Sequence, residues 1–324
     1  MANPISRKRP RMDETQTIND VKAVRRSITF WFSDGSVVLQ GEDTQFRVHK
    51  SMLALHSVVF RDTFQVSQPA SGEESVEGCP VVHLTETAED VEYMLSALYE
   101  RKKRPQPAPF SFLSAMLRLG RKYDIQHILD EAVEILDLAF PSSLAEYQRV
   151  VETKNGDVIE YSLDMMIDLA NLALDMSRHS ILPTIYFIIC RDFDAVLKGA
   201  QRANGTTAKL DENTKDVIIW GREELLKKLP TSIFSWVKRT SSPGCFGPRK
   251  NCVATLHEIM EKMWTGQSRQ LACFAPIDDF IPSGCRACSQ CLQEMRAIHT
   301  DQQKELWIEL PKYFGWESWE EARS

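Results

Sequence analysis

Between Ile28 and Val48 the chain carries three short runs dense in β-branched and aromatic residues, ITFWF, SVVLQ and TQFRV, broken by the turn triplets SDG and GED. In TQFRV the apolar Phe46 and Val48 alternate with polar neighbours, the period of a half-buried strand, and the two-to-three-residue breaks leave room only for tight reversals. SVVLQ and TQFRV therefore predict a β-hairpin. A further run, VVHLT, predicts another short strand beyond the polar stretch QVSQPASGEESVEG.

Past VVHLT the period changes from two to that of a helix. Val91, Met94, Leu95, Leu98 and Tyr99 form one stripe, which stops where ERKKRPQPAP brings charge and prolines. Leu113, Met116, Leu117 and Gly120 form a second. The third is the longest, Ile125, Ile128, Leu129, Ala132, Val133 and Leu136. After Phe140 and Pro141 the pattern is almost wholly helical. Leu163, Met166, Ile167, Ala170 and Leu174 make one stripe, Pro183 interrupts before TIYFIICRDF, KGAQRANGTTAKLDENTK reads as a long polar loop, and Val253, Leu256, Met260 and Met263 form a narrow seam. Six of the seven tryptophans follow residue 219, an aromatic weight expected to fill a core. The expected class is α+β: a short mixed sheet capped by helices over residues 27–140, then a mainly helical region over 141–324. Residues 1–26 are expected to be a disordered basic tail.

Charge and chemistry limit what such a chain does. An apolar content of 43% in 324 residues suffices for two cores, and a net charge of −6 argues against broad binding of nucleic acid by the folded body or of an anionic membrane. No stretch reaches the roughly 20 apolar residues of a membrane span, and the N-terminus lacks the apolar core of a signal peptide, so an intracellular location, nuclear or cytoplasmic, is expected. Arg7, Lys8, Arg9 and Arg11 could serve as a nuclear import signal or be an ordinary solvated tail. A Gly-rich phosphate loop, H-E-x-x-H and G-x-S-x-G are all missing, and the expectation is a protein that is not an enzyme.

The segment FRVHKSMLALHSVVF resembles the BTB/POZ domain, and its surroundings agree in order and spacing: Asp34 after a turn, the VVLQ/FRVHK hairpin, the helix MLALHS, then SVVFRDTF, VVHLT and helices through LRLGRKYDI. In FWFSDGSVVLQ, VHKSMLALHS and LRLGRKYDI the wording resembles the large group of BTB proteins from mushroom-forming fungi. The resemblance implies a protein–protein interaction module, often a homodimer that acts as adaptor or scaffold, with Met52, Leu53, Val58 and Val59 on the shared surface and ITFWF as a candidate exchanged strand; the equal alternative for each of these residues is that it fills the monomer core. It implies that Asp34 and Lys50 form a buried charged pair near the dimer groove, and that His49 and His56 are structural. Two histidines seven residues apart lie about 10 Å from each other on one helix, too far to share a metal ion. Some members recruit a cullin scaffold as ubiquitin-ligase adaptors; Ser57, Val58, Val59 and Phe60 match a segment of that contact, whereas Val91-Glu92-Tyr93 departs from the usual hydrophobic-x-Glu pattern. Others are transcription-associated nuclear regulators. Neither kelch repeats nor C₂H₂ spacing accompanies the domain here.

Eight cysteines at irregular spacing do not suggest a disulfide framework. Cys285, Cys288 and Cys291 are spaced so that two thiolates can meet one zinc ion, with a fourth ligand to come from Cys245, Cys252, Cys273, His257 or His299. The plainer alternative, free cysteines one helical turn apart and no cofactor, is the preferred expectation; zinc, if bound, would be structural.

Overall fold

The computed structural model describes residues 23–66, 74–100, 107–152, 162–238, 242–265 and 271–323. The basic cluster at residues 7–11 lies outside them. Two compact units are present, Met1–Leu95 and Ser96–Ser324, and the division falls inside a helix.

The first unit is built on a five-stranded mixed sheet of order β1-β3-β2-β5-β4. β1 (Arg25–Trp31) runs parallel to β3 (Thr44–Val48), β3 is antiparallel to β2 (Val37–Gly41), and β2 is parallel to β5 (Cys79–Leu84), which pairs antiparallel with β4 (Ser75–Val76). The β2–β3 hairpin is as the sequence predicts; Gly41 faces Thr44 and Glu42 takes a φ of 48° to close the turn. Val37, Val38 and Leu39 are all fully buried, which explains why this central strand shows no alternation. Two expectations need correction. Arg25 and Arg26 belong to β1, held by pairing to Thr44 and Gln45, so the first strand starts inside the stretch expected to be tail. The polar stretch before VVHLT contributes β4, because Gly78 with a φ of 79° and Glu77 with a φ of 54° let the chain reverse onto β5.

α1 (Lys50–His56) and α2 (Val58–Val66) pack against each other and are joined at Ser57. α3 (Ala88–Tyr99) follows, with Val91, Met94, Leu95 and Leu98 buried as the stripe predicts.

In the second unit, α4 (Phe110–Lys122) and α5 (Gln126–Ala139) pack closely. A Cβ on Gly120 would lie 3.2 Å from the Leu129 nitrogen, so the glycine sets the distance. α6 (Leu144–Glu152) reaches α8 (Leu182–Cys190) through Tyr147 on Phe187, 6.2 Å between ring centroids, and α7 (Leu163–Asp175) packs along it; the residues of α8 are buried apart from Ile188. A helix apolar all round belongs inside a core. Pro183 does not interrupt a helix; it sits in the first turn of α8, where its missing N–H costs nothing.

The expected polar loop after α9 (Phe193–Lys198) is instead a small hairpin, β6 (Ala200–Gln201) with β7 (Thr207–Ala208), turned at Asn204-Gly205. Arg202 anchors it through a forked pair with Asp168 of α7 at 2.8 and 2.6 Å. Gly199, at a φ of 82°, precedes it, and a Cβ there would stand 2.1 Å from the Ala208 carbonyl oxygen. Gly199→Ala is expected to destabilise the chain by roughly 3 kcal/mol or more, combining backbone strain with a clash, as read from a denaturant melt.

Three long helices complete the unit: α10 (Glu212–Lys228), capped by Asp211 accepting from the Thr214 N–H at 3.0 Å, α11 (Arg249–Thr265) and α12 (Ser289–Tyr313). Trp236 and Trp307 are core residues as expected, but Trp220 is mostly exposed on α10 and Trp264 partly so on α11. No helix among the described residues is long and apolar enough to cross a membrane.

Candidate functional site

The chain enters α1 through His49, whose extended backbone ends β3's direction and begins the helix. Its ring packs on Phe32 at 5.2 Å between centroids, and its Nε2 lies 3.2 Å from the Asp34 carboxylate. Asp34 stands in the turn that precedes β2, where the Gly35 N–H donates to the Phe32 carbonyl at 3.0 Å. Its own backbone N–H and His49 hold its carboxyl below the usual aspartate value. His49 is thus packed and hydrogen-bonded at the start of α1. His56 ends α1, half-buried.

The charged pair expected between Asp34 and Lys50 is not what the structure shows. His49, one residue earlier, reaches Asp34, and Asp34 is 81% exposed, so no buried ion pair forms. The Lys50 ammonium sits 5.6 Å from the Phe64 ring, and its backbone N–H donates to Ser36 Oγ at 2.9 Å. Exposed pairs of this kind contribute little to stability.

The residues expected on an interaction surface divide in two. Leu53, Ser57 and Phe60 are buried within the unit, a correction to their assignment as surface. Ser57 is a structural cap: its Oγ accepts from the Phe60 N–H at 3.0 Å and starts α2, while Leu53 and Phe60 point inward from either side of that cap. Val58 and Val59 are exposed and Met52 is half-buried. Leu55, absent from the sequence expectation, is 70% exposed, and Ile28 on β1 is fully exposed. Of the four residues compared with a cullin contact, only the two valines are outward.

A second constellation lies in the C-terminal unit. Cys245, Cys252, Cys288 and Cys291 bring their four sulfur atoms within 4.8 Å of one another. Cys245 Sγ is 3.7 Å from Cys252 Sγ and 3.9 Å from Cys288 Sγ. Cys245 ends a turn closed by its N–H on the Ser242 carbonyl; Cys252 lies in the first turn of α11; Cys288 is the N-cap of α12 and Cys291 its third helical residue. Gly247 makes this approach possible, since a Cβ there would sit 3.1 Å from Cys288 Cβ. The Cys288 N–H donates to Cys252 Sγ at 3.4 Å. The N–H of Cys291, joined by those of Phe246 and Gly247, pulls the Cys288 thiol down to about 6, while burial pushes Cys252 up and Cys291 up to about 12.

The set differs from the one expected. Cys285 is not part of it: the extended backbone at the N-cap swings Cys288 and Cys291 to one side, and Cys285 stays in the preceding turn. Cys273 is buried elsewhere, with burial raising its thiol to about 12; His257 is exposed on α11, and His299 is buried within α12. A similar local pattern, SPGC before α11 and PSGC before α12, closes a turn in which the cysteine N–H donates to the carbonyl three residues earlier, Cys245 to Ser242 and Cys285 to Pro282, each at 3.0 Å; of these two cysteines only Cys245 joins the cluster.

No curated protein matches this sequence. A family model does: that of the BTB/POZ domain, over residues 32–138, from the turn before β2 to the last turn of α5. With its mixed sheet, its paired short helices and the α3–α5 stripes in that order, the N-terminal part of this chain is a BTB/POZ domain, a protein-interaction fold.

Proposed function

We propose that the chain is a non-enzymatic interaction protein that pairs with a second copy of itself through the BTB/POZ domain and presents its helical C-terminal region to another protein. The supporting observation is the apolar surface of the first unit: Ile28, Leu55, Val58 and Val59 face outward on short elements whose inward residues already fill the core. Apolar area left in water forgoes about 25 cal/mol per Å², and a self-complementary contact between identical copies recovers that on both sides. The cavity lined by Asp137, Glu146, Arg178 and Arg323 is bordered by charged groups of both signs. An adaptor or scaffold role, in the nucleus or the cytoplasm, is consistent with such a surface.

Light scattering on the full chain tests the pairing. A mass of twice 37.1 kDa is expected, falling to 37.1 kDa in Leu55→Glu/Val58→Glu/Val59→Glu with unchanged far-ultraviolet circular dichroism. A wild-type chain that stays at 37.1 kDa at high concentration overturns self-association.

A further inference from the structure

We propose that Cys245, Cys252, Cys288 and Cys291 bind one Zn²⁺ ion as a closed four-thiolate site that joins the N-terminal ends of α11 and α12. Tetrahedral zinc with Zn–S bonds of about 2.3 Å requires sulfur–sulfur separations of about 3.8 Å. The observed 3.7 and 3.9 Å flank that value, and no other sulfur pair of the set exceeds 4.8 Å. Bonded disulfide sulfurs would be about 2.0 Å apart, so the four atoms are arranged around a point instead of paired.

The donor chemistry selects the ion. Four soft thiolates favour zinc over magnesium or calcium, which take oxygen ligands. With all four positions supplied by protein, none remains for water or substrate, so the site is structural and adds no catalytic chemistry. On binding, the ion displaces the thiol protons to solvent and the complex carries a charge of about −2. Both helices contributing cysteines do so at their N-termini, where the partial positive charge of the helix dipole offsets negative charge, and Arg249 and Lys250 stand in the first turn of α11. The N–H of Cys288 already points to Cys252 Sγ, the kind of outer contact that orients a ligating thiolate.

Two loops that have few apolar residues of their own are thereby tied together across 36 residues of chain, from Cys252 to Cys288. Cys285, one C-x₂-C step from Cys288 yet outside the cluster, provides an internal control.

The test is metal analysis of the full chain purified without chelator, with zinc and iron both measured. About one zinc per chain is expected, retained in Cys285→Ser and lost in Cys252→Ser and in Cys291→Ser. Because those two variants can fail to fold, wild-type protein is also titrated with a mercurial thiol reagent. Zinc leaving in step with modification of about four thiols supports the site. Less than about 0.2 zinc per chain, iron in place of zinc, or zinc that leaves only with Cys285 overturns it.

Discussion

Replacing Trp307 with alanine is expected to lower the unfolding free energy of the C-terminal unit by about 4 kcal/mol, which a thermal melt would read as a fall of roughly 10 °C. The indole is the hub of an aromatic cluster. Its ring lies 4.7 Å from Tyr147, 4.9 Å from Phe274 and 5.5 Å from Trp319, the last in a stacked arrangement. Its Nε1 donates to the Ser142 carbonyl at 2.8 Å, and its own carbonyl accepts from Trp319 Nε1 at 2.9 Å. Alanine removes the packing, opens a cavity and strands the Ser142 carbonyl, three costs that fall on one substitution. Trp307→Phe keeps most of the ring contacts while losing the hydrogen bond, so it should recover more than half of the loss.

His299 is expected to make the same unit acid-sensitive. It is 1% exposed in α12, neither ring nitrogen has a hydrogen-bond partner among the described residues, and burial, partly offset by the backbone of Ile233 and Ala275, pulls its pKa down to about 4 from 6.5. Between those values the unfolded chain binds the proton and the folded chain resists it. Stability from this group is therefore full above pH 6.5, declines as pH falls, and reaches its lowest level below pH 4. The expected loss at pH 4.5 is about 2–3 kcal/mol. Denaturant titrations at pH 7 and pH 4.5 of wild type and His299→Met separate it from the carboxylates: the variant should show a pH dependence smaller by about that amount. Equal slopes in the two proteins would contradict the assignment. At pH 7 the methionine should also be more stable by about 1 kcal/mol, since it leaves no polar atom stranded.

Much of the fold can be read from residue order because its elements carry their own periodicity. The β2–β3 hairpin follows from alternation around GED, and α3, α4 and α5 follow from stripes long enough to fix a face. Short elements resist this. With only seven residues in α1 and nine in α2, a change of phase by one or two residues exchanges Leu53 for Leu55 and Phe60 for Val59 between inside and outside, and nothing local decides between them. The β6–β7 hairpin did leave a signal, Asn204-Gly205, hidden because its strands are two residues each. For the thiol cluster the spacing rule pointed to the right neighbourhood and the wrong trio. Three cysteines at equal intervals look equivalent on paper, but α12 begins at Ser289 with Cys288 as its N-cap and Cys291 in its first turn, while Cys285 lies in the turn before it. Which upstream cysteines join them depends on two loops meeting in space, which no local pattern encodes.

The sheet order leaves β1 as an outermost strand among the described residues, with Ile28 directed to solvent. Unpaired peptide groups beside an outward isoleucine invite open-ended stacking of copies, and proteins restrain this with positive charge on the border strand. Arg25 and Arg26, the first two residues of β1, supply that restraint, Arg26 lying 4.4 Å over the Trp31 ring as it does so. Such a border discourages a growing filament of copies.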